Sequence, residues 1–367
     1  MTTLGIILLA LATLPAALVV INLAVLDRTP HAPAPARTLV SILIPARNEA
    51  ANIASTAEAA LASRDVEIEV LVMDDGSTDA TAEIVRTISA RDPRLRLLSA
   101  PPLTEGWTGK VHACHHLAHH ARGAYLLFVD ADVRVAPRAA ALLTGHAQTT
   151  GARLVSAVPR QIMKTPGEWL TVPTINLLLL GYLPVSLMRA SAHPGFGAAC
   201  GQLMLVERKA YHASGGHAAI RSLIHDGIQL ARQIRRNGFM TDLVPGDRLA
   251  ACRMYSRFED AWNGFAKNAH EGMAKPVALP VWTALLFGGH VLPFLLLPFA
   301  PGWPIACAAL LSLAARAMVT VATRESPVSI PFHPFTVLVS LALQWCVLLR
   351  IGRAGRTGWK GRLYPVG

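Results

Sequence analysis

The sequence predicts an α/β protein: a doubly wound sheet with a transmembrane helix before it and transmembrane or interfacial helices after it. Three observations carry this. Between Leu39 and Lys275, short β-rich apolar runs alternate with amphipathic stretches of helical length. Leu4–Leu26 is an apolar run long enough to cross a bilayer, and apolar runs return after Lys275. Strands that are apolar almost throughout, separated by helices, belong to a parallel sheet buried on both faces.

Taken in order, Leu4–Leu26 is interrupted only by Thr13, Pro15 and Asn22. No basic region precedes it, and Arg28 and Arg37 follow it, which favours an uncleaved anchor with its C-terminal side cytoplasmic over a cleaved signal peptide. Residues 1–28 are therefore assigned to the anchor, and the Pro/Ala-rich Thr29–Arg37 to a linker. Buried strands are expected at Leu39–Ile44, Glu67–Met73, Leu95–Ser99 and Tyr125–Val129. Helices are expected at Ala50–Ser63, Ala80–Arg91 and Val111–Ala121. The catalytic domain is expected over 38–275, and membrane helices over 276–352, drawn from Val277–Ala300, Pro304–Thr323 and Phe335–Ile351. A basic tail, 353–367, closes the chain. Three further spans would put Arg350, Arg353, Arg356, Lys360 and Arg362 outside, against the positive-inside rule. Either one segment is re-entrant or interfacial, or the rule is broken.

Composition narrows the function. Hydrophobic residues make up 52% and charged residues 16%, and the formal net charge is +11. With a mean hydropathy of +0.39, this balance argues against a soluble nucleic-acid binder. It fits a protein attracted to anionic headgroups and phosphate-bearing substrates. The five scattered cysteines form no CxxC pair, which speaks against a disulfide framework or zinc site and suits a reducing cytoplasm.

Polar motifs fall just beyond the expected strands, where such sheets bind ligands. Pro45-Ala46-Arg47-Asn48-Glu49 can present backbone N–H groups to a polar or anionic ligand, or form only a capped turn. In Asp74-Asp75-Gly76-Ser77-Thr78-Asp79, two carboxylates can hydrogen-bond a base or ribose, where a helix cap would need only one. Asp130 and Asp132, at i and i+2, can share a hard divalent cation that bridges to a diphosphate and neutralises the leaving group. Asp226, after His225, is either a general base for an acceptor hydroxyl or a helix cap. Lys110, beside Gly109, suits a diphosphate but lies outside any P-loop spacing. His112, His116 and His119 share a helical face, read as solvated or partly buried rather than metal-binding. Trp262 lies in an amphipathic stretch with Phe265 and Lys267, either an interfacial helix or, in addition, a lid over the sugar.

The ordered set PARNEA, DDGSTD, GK, DAD, GG and HD resembles family 2 glycosyltransferases of the GT-A fold, over roughly Val40 to Lys275. Through GWTGKVHAC, FVDADV, ASGGH, ACRMYSRF and WKGRLY it is similar to membrane-bound carotenoid-acid (diaponeurosporenoate) and hopanoid-associated glycosyltransferases. The resemblance implies a GT-A doubly wound mixed sheet of the nucleotide-diphospho-sugar transferase type. It places Asp75 on the uracil ring of a UDP-sugar, with Pro45, Arg47 and Glu49 lining the same pocket. Asp130 is implied near the ribose and Lys110 near the donor, with Asp132 as ligand to Mg²⁺ or Mn²⁺. Gly201 and Gln202, joined by Trp262 as a lid, are implied near a lipid acceptor such as a carotenoid, hopanoid or other polyisoprenoid. Asp226 is implied as the base of an inverting single displacement. The usual Glu-Asp pair is His225-Asp226 here, and the Q-x-x-R-W motif of processive synthases is absent, which argues against polymer synthesis. The expected protein is a multi-pass inner-membrane enzyme with a cytoplasmic catalytic domain. The competing readings are a non-catalytic sugar-nucleotide-binding membrane module and a polysaccharide synthase.

Overall fold

A computed structural model describes residues 2–26, 33, 38–354, 356–359 and 362–365, with side chains described up to residue 350. It contains two compact units, one formed by Leu26–Arg160 with Val185–Cys252, the other by Met1–Val25, Gln161–Pro184 and Arg253–Gly367. Arg28 and Arg37, and the expected linker apart from Pro33, lie outside the described residues, as do Lys360 and the side chains of Arg353, Arg356 and Arg362.

The first unit is built on a seven-stranded sheet. Its strands are β1 (Leu39–Ala46), β2 (Glu67–Asp74), β3 (Leu95–Ser99), β4 (Tyr125–Val129), β6 (Leu154–Ala157), β8 (Leu203–Glu207) and β9 (Thr241–Val244); β5 (Val133–Val135), β7 (Arg160–Gln161) and β10 (Ala250–Cys252) lie outside it. The spatial order is β3-β2-β1-β4-β8-β6-β9. β1, β2, β3 and β4 run parallel, β8 runs antiparallel to both β4 and β6, and β6 and β9 pair in parallel. The sheet is therefore mixed and parallel-dominated. β1 is an interior strand, and its Val40, Ile42, Leu43 and Ile44 are fully buried, which is why that stretch shows no polar alternation. Helices Ile53–Leu61, Thr81–Ser89 and Gly109–His120 follow β1, β2 and β3, matching the expected elements to within a few residues. The helix at Gly109–His120 packs Val111, Cys114 and Leu117 against Phe128, Met204, Leu230 and Ile234.

At the opposite end of the sheet from the polar motifs, buried Glu69 ties three segments together. It accepts from Ser41 Oγ (2.6 Å) and Arg122 N (2.6 Å), and Arg122 Nε donates to its other oxygen at 3.0 Å. Burial alone would raise the Glu69 carboxyl, but these bonds and the Arg122 charge hold it below its ordinary value.

The second unit is helical. Three of its helices are long and apolar enough to cross a membrane: Thr2–Leu26, Trp303–Thr323 and His333–Arg350, the last within a helix running to Ala354. The expected span at Val277–Ala300 is not one helix. It breaks into Ala278–His290 and Leu292–Leu296, because Pro293 has no N–H to continue the ladder and Val291 leaves helical geometry. Small residues let these helices approach: a Cβ on Gly289 would lie 2.9 Å from the Leu11 carbonyl oxygen. Asn22, the polar residue inside the first apolar run, donates to the carbonyls of Leu180 (2.8 Å) and Leu183 (2.7 Å). Segment Gln161–Pro184 belongs to this unit, with Leu177 packed among Leu286, Val337 and Leu341. The backbone at Arg356–Trp359 and Arg362–Pro365 forms an antiparallel hairpin.

Candidate active site

Parallel β1, β2 and β4 end at one edge, and antiparallel β8 starts there, with Leu203 opposite Val129. The chain leaves β1 toward β2 and β3 on one side and later adds β4 on the other, so the edge beside β1 is a topological switch point. Every strand-end motif of the sheet unit converges there.

The first two motifs hold each other. Arg47 Nη1 donates to the carbonyls of Asp75 and Gly76, Asn48 N donates to Ser77 Oγ (3.0 Å), and Thr78 N returns a bond to Asn48 Oδ1 (2.8 Å). Glu49 N donates to Thr81 Oγ1 (2.8 Å) and Ala50 N to Asp79 Oδ2 (3.1 Å). This corrects one expectation: those N–H groups already have side-chain partners, so the loop presents side chains rather than free amides to a ligand. Gly76 and Asn48 adopt positive φ (69° and 52°), and a Cβ on Gly76 would meet Arg47 Nη1 at 3.3 Å. Pro45 pairs with Met73 one residue before β1 ends, and Asp75, just beyond β2, is buried.

The second two motifs meet at Lys110. Its Nζ lies 2.7 Å from Asp130 Oδ1, 2.9 Å from Asp226 Oδ2 and 3.2 Å from the Gly201 carbonyl oxygen. Asp226 is the first residue of helix Asp226–Arg236, and His225, not Asp226, occupies the cap position. Its carboxylate thus pairs with Lys110 rather than capping, and the helix N-terminus favours its charge. Burial pushes the Asp226 carboxyl up, but the Lys110 charge and its hydrogen bond outweigh it and hold the group below its ordinary value. Burial likewise opposes the Lys110 charge, and Asp130 and Asp226 overcome it. Two glycines make the approach possible. A Cβ on Gly201 would lie 2.5 Å from Asp226 Oδ1, and one on Gly227 would lie 2.5 Å from the Ala199 carbonyl oxygen.

Asp132 is a different kind of acid. Burial first, then the charges of Asp130 and Glu49, push its carboxyl up to about 7. Its Oδ1 is buried without a hydrogen-bond partner among the described residues. An orphaned buried carboxylate oxygen beside two more acids suits a divalent cation with oxygen ligands. Among the described residues no three His, Cys, Asp or Glu side chains close on one point, so ligand oxygens would have to complete the shell.

Two neighbours received no role from the sequence, although they lie within the quoted stretches ACRMYSRF and ASGGH. Cys252 lies against Asp132 and accepts from Gln202 Nε2 at 3.1 Å, so the buried Gln202 side chain points into a sulfur-lined recess also touched by Cys200. The Gln202 carbonyl accepts from Asp130 N at 3.1 Å. His217 is fully buried, bonded to Tyr211 Oη at 2.9 Å, and burial pushes it down to about 3, so it is neutral beside Asp226. The Gly215-Gly216 pair, both at positive φ, sets it there, and a Cβ on Gly216 would strike the Tyr211 ring at 2.4 Å. The histidines of Gly109–His120 pack ring on ring, with His112 Nε2 and His116 Nε2 3.2 Å apart, and make no three-ligand group. Trp262 belongs to the helical unit, on helix Phe258–Ala266, packed with Phe265 against Ala269, Ala274 and Leu343.

Residues 41–215 match the family model described as glycosyl transferase family 2. The chain belongs to that family. It is similar to a 4,4'-diaponeurosporenoate glycosyltransferase of Staphylococcus aureus (strain USA300), 30% identical over 258 residues, which cover 68% of this chain and 66% of the relative. The chain thus spans just under two thirds of the curated relatives it matches. Among solved structures it is similar to a mannosyltransferase of Pyrobaculum calidifontis determined with GDP-Man and Mn²⁺. That match has a TM-score of 0.55 and 21% identity, and covers 95% of this chain and 98% of the other. It shares the GT-A fold of the family 2 domain.

Proposed function

We propose that this family 2 protein transfers a sugar from a nucleotide-diphosphate donor, a UDP-sugar in our reading, onto a lipid-type acceptor by a single inverting displacement. The observation that carries it is the Lys110 ammonium held between Asp130 and Asp226 at a switch-point edge. Asp75, with the wall of Pro45, Arg47 and Glu49, receives the base, and Asp130 the ribose. Asp132 would hold Mg²⁺ or Mn²⁺, and the bound ion would supply charge neutralisation for the departing diphosphate. Lys110 lies where it can pair with the same diphosphate. Asp226, kept ionised, accepts the proton of an acceptor hydroxyl bound at Gly201 and Gln202. The curated relative's name specifies a carboxylate substrate, and a carboxylate nucleophile needs no base. Acceptor class therefore governs how much of the rate depends on Asp226.

In this reading the apolar helices deliver a membrane-dissolved acceptor to a cytoplasmic site. The break at Val291 supports treating Val277–Ala300 as re-entrant. Thr2–Leu26, Trp303–Thr323 and His333–Arg350 then cross the membrane and return the basic tail to the cytoplasmic side, in keeping with the positive-inside rule. The test incubates membranes containing the protein with a panel of UDP- and GDP-sugars and examines extracted lipids by mass spectrometry. A one-sugar mass increase on a polyisoprenoid supports the reading. Donor binding with no turnover on any lipid supports a non-catalytic module instead, and a long glycan a polymer synthase.

A further inference from the structure

The helical unit contains a buried polar cluster that sugar transfer does not use. Arg316, in the middle of helix Trp303–Thr323, has a side chain only 1% exposed, and its partner Glu325 is wholly buried. One guanidinium nitrogen does all the pairing: Nη2 donates to Glu325 Oε2 (2.6 Å) and Ser329 Oγ (2.7 Å). Asn176 Nδ2 takes the other Glu325 oxygen at 2.7 Å. Nε and Nη1, with three of the five N–H groups, have no partner among the described residues. A second group lies nearby. His333 Nε2 lies 3.0 Å from His290 Nδ1 and 3.1 Å from Ser312 Oγ, which sits one turn before Arg316 on the same helix, and His333 Nδ1 has no partner among the described residues.

A pair that served packing alone would saturate its donors, since each buried donor left unmade costs roughly 1–3 kcal/mol. Ionisable groups inside apolar helices are expensive and mark ligand or ion paths. The unmet guanidinium N–H groups are donors, and their complement is an oxyanion; the unpartnered His333 nitrogen adds a donor in the tautomer that carries its proton on Nδ1. The helices around them are apolar, so the oxyanion that reaches them is carried on hydrocarbon.

We propose that Arg316 and His333 form a recognition site for the oxyanion head, carboxylate or phosphate, of a membrane amphiphile. The proposal rests on the reading that this unit lies in a membrane, but not on sugar transfer. Two sources share this chemistry: a fatty-acid carboxylate and a phospholipid headgroup.

The full-length protein in neutral detergent is titrated with oleate or dioleoyl phosphatidic acid, each against an uncharged counterpart, methyl oleate or dioleoylglycerol. Thermal unfolding is followed by tryptophan fluorescence. The wild type is expected to show a saturable rise in unfolding midpoint with an anionic amphiphile and none with its counterpart. A response to oleate alone assigns the site to carboxylates, and one to phosphatidic acid assigns it to phospholipid. The double variant Arg316→Met/Glu325→Met removes both charges, and buried pairs replaced by apolar residues of similar volume often leave stability unchanged or higher. It is expected to fold and to lose the response. His333→Gln, which keeps the ion pair, is expected to weaken binding about tenfold, the equivalent of about 1.4 kcal/mol for one hydrogen bond. Equal responses to charged and uncharged amphiphiles, or an anionic response that survives in both variants, overturns the proposal.

Discussion

Replacing Gly201 by alanine adds one methyl group at the point where the proposed base is held. Its Cβ would lie 2.5 Å from Asp226 Oδ1 and 3.1 Å from Cγ. Ordinary non-bonded contact is near ~3.5 Å, so the carboxylate must retreat by roughly 1 Å. The helix start cannot follow easily, because Gly227 already sits against the Ala199 carbonyl and the Gly201 amide. The carboxylate therefore swings on its own bond, away from the acceptor and out of its 2.9 Å pairing with Lys110. A displacement of about 1 Å can lower a rate by about 10²-fold, equivalent to roughly 2.7 kcal/mol of barrier. The assay is initial-rate transfer to a hydroxyl-bearing lipid at saturating donor, with donor affinity measured in parallel. Donor affinity is expected to change little. A Gly201→Ala enzyme at wild-type rate, or one whose whole defect is in donor affinity, would refute the placement of Asp226 as base.

Lys110→Met removes the charge that holds Asp226 down, so the base stays protonated to higher pH. The acidic limb of the pH–rate profile is expected to move upward, and an unmoved limb counts against the pairing. Asp132, up near 7, must lose a proton to bind metal, so apparent Mn²⁺ affinity is expected to fall as pH drops from about 8 to about 6. Isothermal titration checks this, and a pH-independent affinity contradicts it. Glu69 lies below its unfolded value, so its stabilisation is complete above the unfolded pKa and is lost as pH falls through the folded one. Glu69→Gln is expected to lower stability by about 1–3 kcal/mol at neutral pH and to flatten the acid dependence; an unchanged acid profile removes Glu69 as its source.

Much of the sheet unit was legible because burial on both faces imposes a continuous apolar run. β1, β2, β3 and β4 begin where that pattern places them. The antiparallel insertion of β8 was not, since an apolar strand carries no mark of its direction. Asp75, Asp130, Asp132 and Asp226 stood out as acids beyond apolar strands or in an apolar setting. Cys252 and His217 did not, because an isolated cysteine or histidine is usually a packing residue until its neighbours are known. The membership of Gln161–Pro184 in the helical unit was equally hidden: Thr174–Tyr182 is nine residues, too short to signal a span. The Val291 break was signalled only by Pro293 within an apolar run, which hydropathy alone does not register.

The most direct measurement compares single-turnover transfer by the wild type and Asp226→Asn to a hydroxyl-bearing polyisoprenoid, with donor and Mn²⁺ binding measured on the same preparations. The account predicts unchanged binding and a loss of transfer on the order of 10²-fold or more. Transfer by Asp226→Asn within a few-fold of the wild type, with the lipid product identified by mass, would contradict it.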